Sequence, residues 1–397
     1  MTSPARALAD LQQLVSYGPR FHGDPGIRAA ADWLESELVA AGLALARQSV
    51  RLPGWRPGTV SQVTVVDPLI RTLPAWPMLG SGGAEGTVGG RVKQLGPQGL
   101  WGDSQTWQRF VVLGGDGRAV AYLHGRDDGP ASPQPLPAGS DAQLPHLAIG
   151  HLDARQLTEW IRDDRHPSVE VACDAHRGGD AVGDNLIVDV SGTGDGRALL
   201  CGHYDTFFNT VGAYDNGSGT IALLQLLREW TRTPPVRSVR VVFFTAEEWH
   251  LGGSRHYVAQ ADAADALAPG SPDGIADLDF VLNIDGLGRG SFLEAFASPE
   301  TFDTALHESI VEHAAASRPD LTVVSRFPPT TGTDDASFYR AGVPSAFLTF
   351  NDLHRLHQPD DLPNEGIAGN VAWTVGLARR LVDTLPRADR FARPGIL

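Results

Sequence analysis

Three rhythms of apolar and polar residues follow one another along the chain. In the first fifty residues, apolar positions recur at helical spacing, with Leu8, Leu11, Leu14 and Val15 on one face. The turn YGPRFHGDPG follows. The run IRAAADWLESELVAAGL then predicts an amphipathic helix, with Gly42 placed to end it. From about Leu52 to Gly179 the rhythm shortens. Short β-type runs (VSQVTVV, GTVGGRVKQL, RFVVLG, AVAYLHG, SVEVAC) stand between Gly- and Pro-rich turns. One helix near Asp153–Ile161 interrupts them, and PASPQPLPAGS (130–140) reads as an exposed loop.

From Asp184 onward, near-continuous apolar runs alternate with helical ones. The strand-like runs are NLIVDVSG, RALLCG, SVRVVFFTA, DFVLNIDG and PSAFLTF. Helical runs between and after them include GSGTIALLQLLREW and GNVAWTVGLARRLVDTL. Strands apolar on both faces imply a sheet covered on both sides. The pattern predicts an α/β fold: a mixed, mostly parallel central sheet flanked by helices, built from 1–51 and 179–397. Residues 52–178 form a mostly β inserted domain. No internal repeat is visible.

Composition narrows the function classes. Apolar residues make up 42% and charged residues 20%, as in ordinary globular proteins. No window reaches the ~18 consecutive apolar residues of a membrane span. The N-terminus lacks the basic-then-apolar layout of a secretion signal, so a cytoplasmic protein is expected. A net charge of −15 argues against nucleic-acid and anionic-membrane partners, which need a basic surface. Two cysteines, Cys173 and Cys201, exclude a disulfide framework, and both read as core residues.

The chemistry lies just after the predicted strands. His203-Tyr204-Asp205 follows ALLCG, Glu247-Glu248 follows VRVVFFTA, and Asp285 follows FVLNI. His354 and His357 follow SAFLTF, and Asp215 precedes the helix GSGTIALLQLL. Ligands of open α/β sheets bind at the carboxyl ends of the strands. Imidazole and carboxylate suit zinc when no thiolate is offered. The surplus of acids over one metal's needs points to two metals sharing a carboxylate.

Five segments in order, GHYD, GAYDNGSG, TAEEWHLGGS, NIDGLG and LHQPDD, resemble the co-catalytic zinc aminopeptidases of clan MH, the bacterial leucyl aminopeptidase type. The resemblance spans roughly 1–50 and 184–397 and implies two zinc ions, or other divalent metals, per chain. It implies His203 and Asp285 on one ion, Glu248 and His357 on the other, and Asp215 bridging both. Glu247 takes the role of general base, an assignment that rests on the family order. Asp205 is implied to accept a hydrogen bond from the far nitrogen of His203, fixing its tautomer. His357 is favoured over His354 because His357-Gln358-Pro359-Asp360 fits the family's His-x-Pro-acid order. His250 and His256 fall outside the pattern.

The implied activity is hydrolysis of the N-terminal bond of a peptide, or of a small amide. Asp335, in TGTDDASFYRAGVP, stands where the family often has His, which leaves substrate preference open. Glutaminyl-cyclase-like, carboxypeptidase and amidase chemistry remain alternatives on the same fold, as does a non-catalytic binding protein. No HExxH or GxSxG motif is present, and GTGDGRALL leads into a strand rather than a helix. GTVGGRV and LPHLAIGHLDARQLTEWI are faintly similar to a protease-associated module.

Overall fold

The structure is a computed structural model describing residues 2–100, 105–268, 271, 273–326 and 332–387. Thr331, the first residue of TGTDDASF, lies outside the described residues. The chain divides into two compact units. One comprises Met1–Val50, Val182–Arg355 and Pro359–Leu397; the other comprises Arg51–Ala181 and Leu356–Gln358.

The chain opens with α1 (Pro4–Val15), α2 (Pro25–Ala40) and β1 (Ala46–Arg56). A run of strands with one helix follows: β2 (Ser61–Asp67), β3 (Arg71–Leu73), β4 (Ala75–Pro77), β5 (Thr87–Leu100), β6 (Gln105–Leu113), β7 (Ala119–Gly125), β8 (His146–Ile149), α3 (His151–Arg162) and β9 (Ser168–Cys173). Then come β10 (His176–Val190), β11 (Arg197–His203), α4 (Ser218–Trp230), β12 (Ser238–Phe244), α5 (Gly252–Leu267) and β13 (Phe280–Leu287). The chain continues through β14 (Phe292–Ser298), α6 (Glu300–Ser317), β15 (Thr322–Arg326), α7 (Asp335–Arg340), β16 (Ser345–Phe350) and α8 (Glu365–Thr384).

The first unit is built on an eight-stranded sheet in the order β1-β10-β12-β11-β13-β16-β14-β15. Its centre is parallel, through β12, β11, β13 and β16, while β10 and β14 join antiparallel. Every residue of β13 and β16 is buried, as near-continuous apolar runs require of strands covered on both faces. Leu199, Cys201, Val242, Phe244, Val281, Tyr257 and Phe338 pack as one cluster. Cys201 therefore sits in the core, and burial raises its thiol pKa well above the usual range, which suppresses thiolate chemistry. α2 buries Ile27, Ala30, Ala31, Leu34 and Leu38. At its end Gly42 turns left-handed (φ 84°), and Leu43 N–H reaches back to the Leu38 carbonyl at 3.0 Å.

The second unit carries an eight-stranded sheet in the order β3-β2-β9-β5-β6-β7-β8-β4, antiparallel except where β7 meets β8. Two expectations need correction here. Segment 130–140 is not an exposed loop, because Ala131, Ser132, Pro133, Gln134 and Leu136 are buried. Its prolines lack N–H donors that burial would strand, Leu79 N–H donates to the Gln134 carbonyl at 2.9 Å, and Leu136 N–H donates to the Leu79 carbonyl at 2.9 Å. Leu356–Gln358, read from sequence as part of the α/β region, instead counts with this unit. Ser132 Oγ donates to the Leu356 carbonyl at 3.1 Å, and Gln358 Nε2 donates to the Ala131 carbonyl at 3.0 Å. No helix among the described residues is long and apolar enough to cross a membrane.

Candidate metal centre

Sheet register sets the level of the site. Within the parallel core, Leu200 pairs with Val241 and Leu282, and His203 pairs with Phe244. The carboxyl ends of β11, β12 and β13 therefore lie side by side. His203 is the last residue of β11, and Glu247 and Glu248 follow β12 by three and four residues. Asp285 lies where β13 shifts register between Ile284 and Leu287, a bulge that re-aims a side chain. Gly286 there has φ 69°, and a Cβ would lie 2.9 Å from the Tyr214 ring. Asp215 occupies the single turn Ala213–Gly217 ahead of α4.

These residues converge. His203, Glu247 and Asp285 form one group, and His203, Asp215 and Glu248 another, with ligand atoms within 4.8 Å of one another in each. His203 Nε2 lies 3.1 Å from Asp215 Oδ1, 3.4 Å from Asp285 Oδ1 and 3.9 Å from Glu247 Oε2. None of the five is more than 8% exposed.

Asp205, wholly buried, does more than the sequence suggested. His203 Nδ1 lies 3.2 Å from its backbone carbonyl and 3.4 Å from its Oδ1. The Asp205 carboxylate also accepts the backbone N–H groups of Glu247, at 3.1 Å, and Glu248, at 3.3 Å. Ala246, with φ 55°, turns the chain just before them. A left-handed alanine costs about 1–2 kcal/mol. The turn frees two adjacent carboxylates from the alternating faces of a strand.

Three supports went unassigned in the sequence. The Asn216 amide accepts from Gly219 N–H at 2.9 Å and Gly286 N–H at 3.1 Å, and donates to the Ile284 carbonyl at 3.0 Å. It thereby ties the Asp215 turn to the Asp285 bulge. Asp361, the last acid of LHQPDD, accepts from Tyr214 N–H at 2.8 Å and Asp215 N–H at 3.2 Å. Arg20, in the opening turn, donates to the carbonyls of Tyr204, Val211 and Gly212. Their only sequence signal was membership of the segments quoted above.

The electrostatics are those of crowded acids. Burial pushes the Glu247 carboxyl well above its usual range; His203 opposes this, while Glu248 and Asp334 add to it. Burial likewise raises Asp285, with His203 opposing and Asp215 adding. Burial would depress His203, but Asp285 and Glu247 hold its pKa well above the ordinary value. Four buried carboxylates around one imidazole need more positive charge than that ring supplies. Their donor chemistry fits zinc.

His357 lies in segment 356–358, where its Nδ1 is 2.7 Å from the Pro133 carbonyl and 2.9 Å from the Gln134 amide nitrogen. The Pro133 carbonyl can only accept, so Nδ1 donates to it and Nε2 is left the basic nitrogen; the Gln134 amide nitrogen, itself a donor, makes no hydrogen bond to Nδ1 in that tautomer. Asp335 is wholly buried, with its Oδ1 2.5 Å from Thr333 Oγ1 and 3.4 Å from Asn283 Nδ2. Burial raises its pKa to about 7. His256 is occupied on the surface, 2.9 Å from Gln260.

Comparison with known proteins gives a partial family match and a likeness of fold. Residues 185–380 match the model of peptidase family M28. A vacuolar membrane protease of Candida glabrata is 29% identical over 137 residues, which is 34% of this chain and 13% of that protein. The chain thus matches only a small part of that relative's length. An aminopeptidase from Aneurinibacillus sp. strain AM-1 superposes with a TM-score of 0.70 at 17% identity, covering 98% of this chain and 97% of that one. BSAP, a zinc aminopeptidase from Bacillus subtilis, gives 0.65 at 18% identity with 96% of each chain covered. At these identities the structural likeness is one of fold. The matched region, just under half of the chain, contains His203, Asp215, Glu247, Glu248, Asp285 and His357, so every residue of the candidate site lies in the part that is similar to peptidase family M28.

Proposed function

We propose that this chain is a zinc-dependent exopeptidase, an aminopeptidase acting on the N-terminal bond of peptides. The observation that carries the reading is the buried convergence of His203, Glu247, Glu248 and Asp285, at three adjacent strand ends, with Asp215 from the turn ahead of α4. His203 and Asp285 would hold one zinc, Glu248 the second, and Asp215 would bridge them. The His-x-Pro-acid motif, read from sequence, assigns His357 to the second ion. Bound zinc supplies Lewis acidity and lowers the pKa of water in the site.

The chain's own residues do the rest. Glu247 accepts a proton from the attacking water at its carboxylate. It delivers the proton to the nitrogen of the leaving amine as the C–N bond breaks. Asp205 holds the backbone of Glu247 and Glu248 and faces Nδ1 of His203, so one buried carboxylate orients three functional residues. The two cysteines are buried and free, which suits a reducing, cytoplasmic setting.

The test combines metal analysis with a panel of aminoacyl chromogenic amides. Two zinc ions per chain, with cleavage abolished by chelation and restored by zinc, are expected. Glu247→Gln is expected to keep the metal and lose about 10²–10⁴-fold in turnover. Near-normal turnover in that variant removes Glu247 as the base. Ring closure of an N-terminal glutamine peptide without amide cleavage would instead move the chain to cyclase chemistry.

A further inference from the structure

Arg20 is the one guanidinium wholly buried among the described residues beside this site. It sits in the turn after α1, where its backbone N–H donates to Thr206 Oγ1 at 2.9 Å and its carbonyl accepts Thr206 N–H at 3.3 Å. Its side chain points the same way. Nε donates to the Tyr204 carbonyl at 2.6 Å, Nη1 to Val211 at 2.6 Å and Nη2 to Gly212 at 3.0 Å. Those three carbonyls are not random acceptors. Tyr204 lies between His203 and Asp205, and Gly212 lies three residues before Asp215. The fork therefore joins the two ends of the loop between them. Further along the same loop, the Asp361 carboxylate accepts from the N–H groups of Tyr214 and Asp215. A buried cation thus gathers the loop's carbonyls and a buried anion its amides.

We propose that Arg20 is a positioning residue for the metal centre: its planar fork fixes the loop carrying Asp205 and Asp215, and so sets how tightly the site holds divalent metal. The inference rests on the metal-centre reading above. It makes the N-terminal turn a working part of a site whose ligands all come from after residue 200. Geometry, rather than charge, carries the effect. Charge alone would work in the opposite direction, since a buried guanidinium repels a nearby divalent cation. Lysine keeps the charge but has no fork to span three carbonyls. Displaced partners of metal ligands typically weaken binding 10–100-fold.

The test measures zinc affinity of the full chain by competition with a chromophoric chelator. Wild type, Arg20→Lys and Arg20→Met are compared with Leu381→Ala, a buried position on α8 that controls for lost stability alone. The expected order is wild type tightest, Arg20→Lys about tenfold weaker and Arg20→Met about a hundredfold weaker. Leu381→Ala is expected to match wild type although it melts earlier. Zinc binding by Arg20→Met within twofold of wild type, or tighter, overturns the inference. So does an equal loss of affinity in Leu381→Ala. If Arg20→Met does not fold, Arg20→Lys decides by the same twofold criterion. A wild-type chain without zinc affinity would remove the metal centre itself, whereas tight binding by every form removes only the role of Arg20.

Discussion

Acid is expected to loosen the second unit through His124. This residue lies on β7, 3% exposed, with Nε2 3.0 Å from Nδ1 of His146 on β8. His146 Nε2 lies 3.0 Å from the Asp141 carbonyl, which can only accept, so the His146 proton sits on Nε2. His146 Nδ1 is then an acceptor, and His124 Nε2–H donates to it. Both rings are neutral. Burial, with the His146 ring and Arg109 adding, pushes the His124 pKa down to about 3, against about 6.5 in an unfolded chain. As the pH falls below 6.5, the unfolded state takes up a proton that the folded state refuses. Stability is therefore full above about pH 6.5 and is lost as the pH falls toward 3. Between pH 7 and pH 5 the loss comes to about 2 kcal/mol, or roughly a thirtyfold rise in the open population. His124→Gln keeps an N–H donor toward His146 and removes the titration. Hydrogen exchange of amides in 119–125, corrected for intrinsic rates, reads the difference. Protection in the wild type is expected to fall about thirtyfold more than in His124→Gln between those pH values. An equal fall in both would refute the assignment of a neutral buried ring.

Other perturbations test the supports of the site. Asp361→Ala strands two buried N–H groups, at about 1–3 kcal/mol each, and is expected to lower the melting temperature clearly and to weaken zinc retention. Gly42→Ala and Gly286→Ala both place alanine at positive φ, at about 1 kcal/mol or more. Gly42 faces open space, whereas a Cβ at Gly286 would lie 2.9 Å from the Tyr214 ring. Urea unfolding is therefore expected to show a small loss at Gly42 and a much larger one at Gly286, with metal content falling only in the latter. Leu224→Ala, at a wholly buried position of α4, is expected to cost about 2–5 kcal/mol in the same assay without altering metal content.

Much of the central architecture was legible because its physics is local. β11, β12, β13 and β16 read as near-continuous apolar runs because both their faces are covered, and the acids and histidines just after them stand out against them. Strands lacking that contrast were not legible. β14 carries Glu294 mid-strand, tolerable only because Arg326 and Asn351 meet its carboxylate. β15 is a half-buried edge strand, and β3 and β4 have three residues each. The burial of 131–134 was equally invisible, since a proline-rich run looks alike in solvent and under other chain.

The sequence by itself determined the α/β class, the strand-end placement of His203, Glu247, Glu248 and Asp285, the position of Asp215 ahead of a helix, and their order. Tertiary structure alone decided what holds them. Arg20 meets Tyr204 across 184 residues and Asp361 meets Tyr214 across 147. It also decided that the Asp205 carboxylate carries two glutamate amides as well as facing His203. Periodicity reports which face of an element is buried. It does not report which distant backbone carbonyl or amide a buried charge must satisfy, because that partner is chosen by how the elements pack.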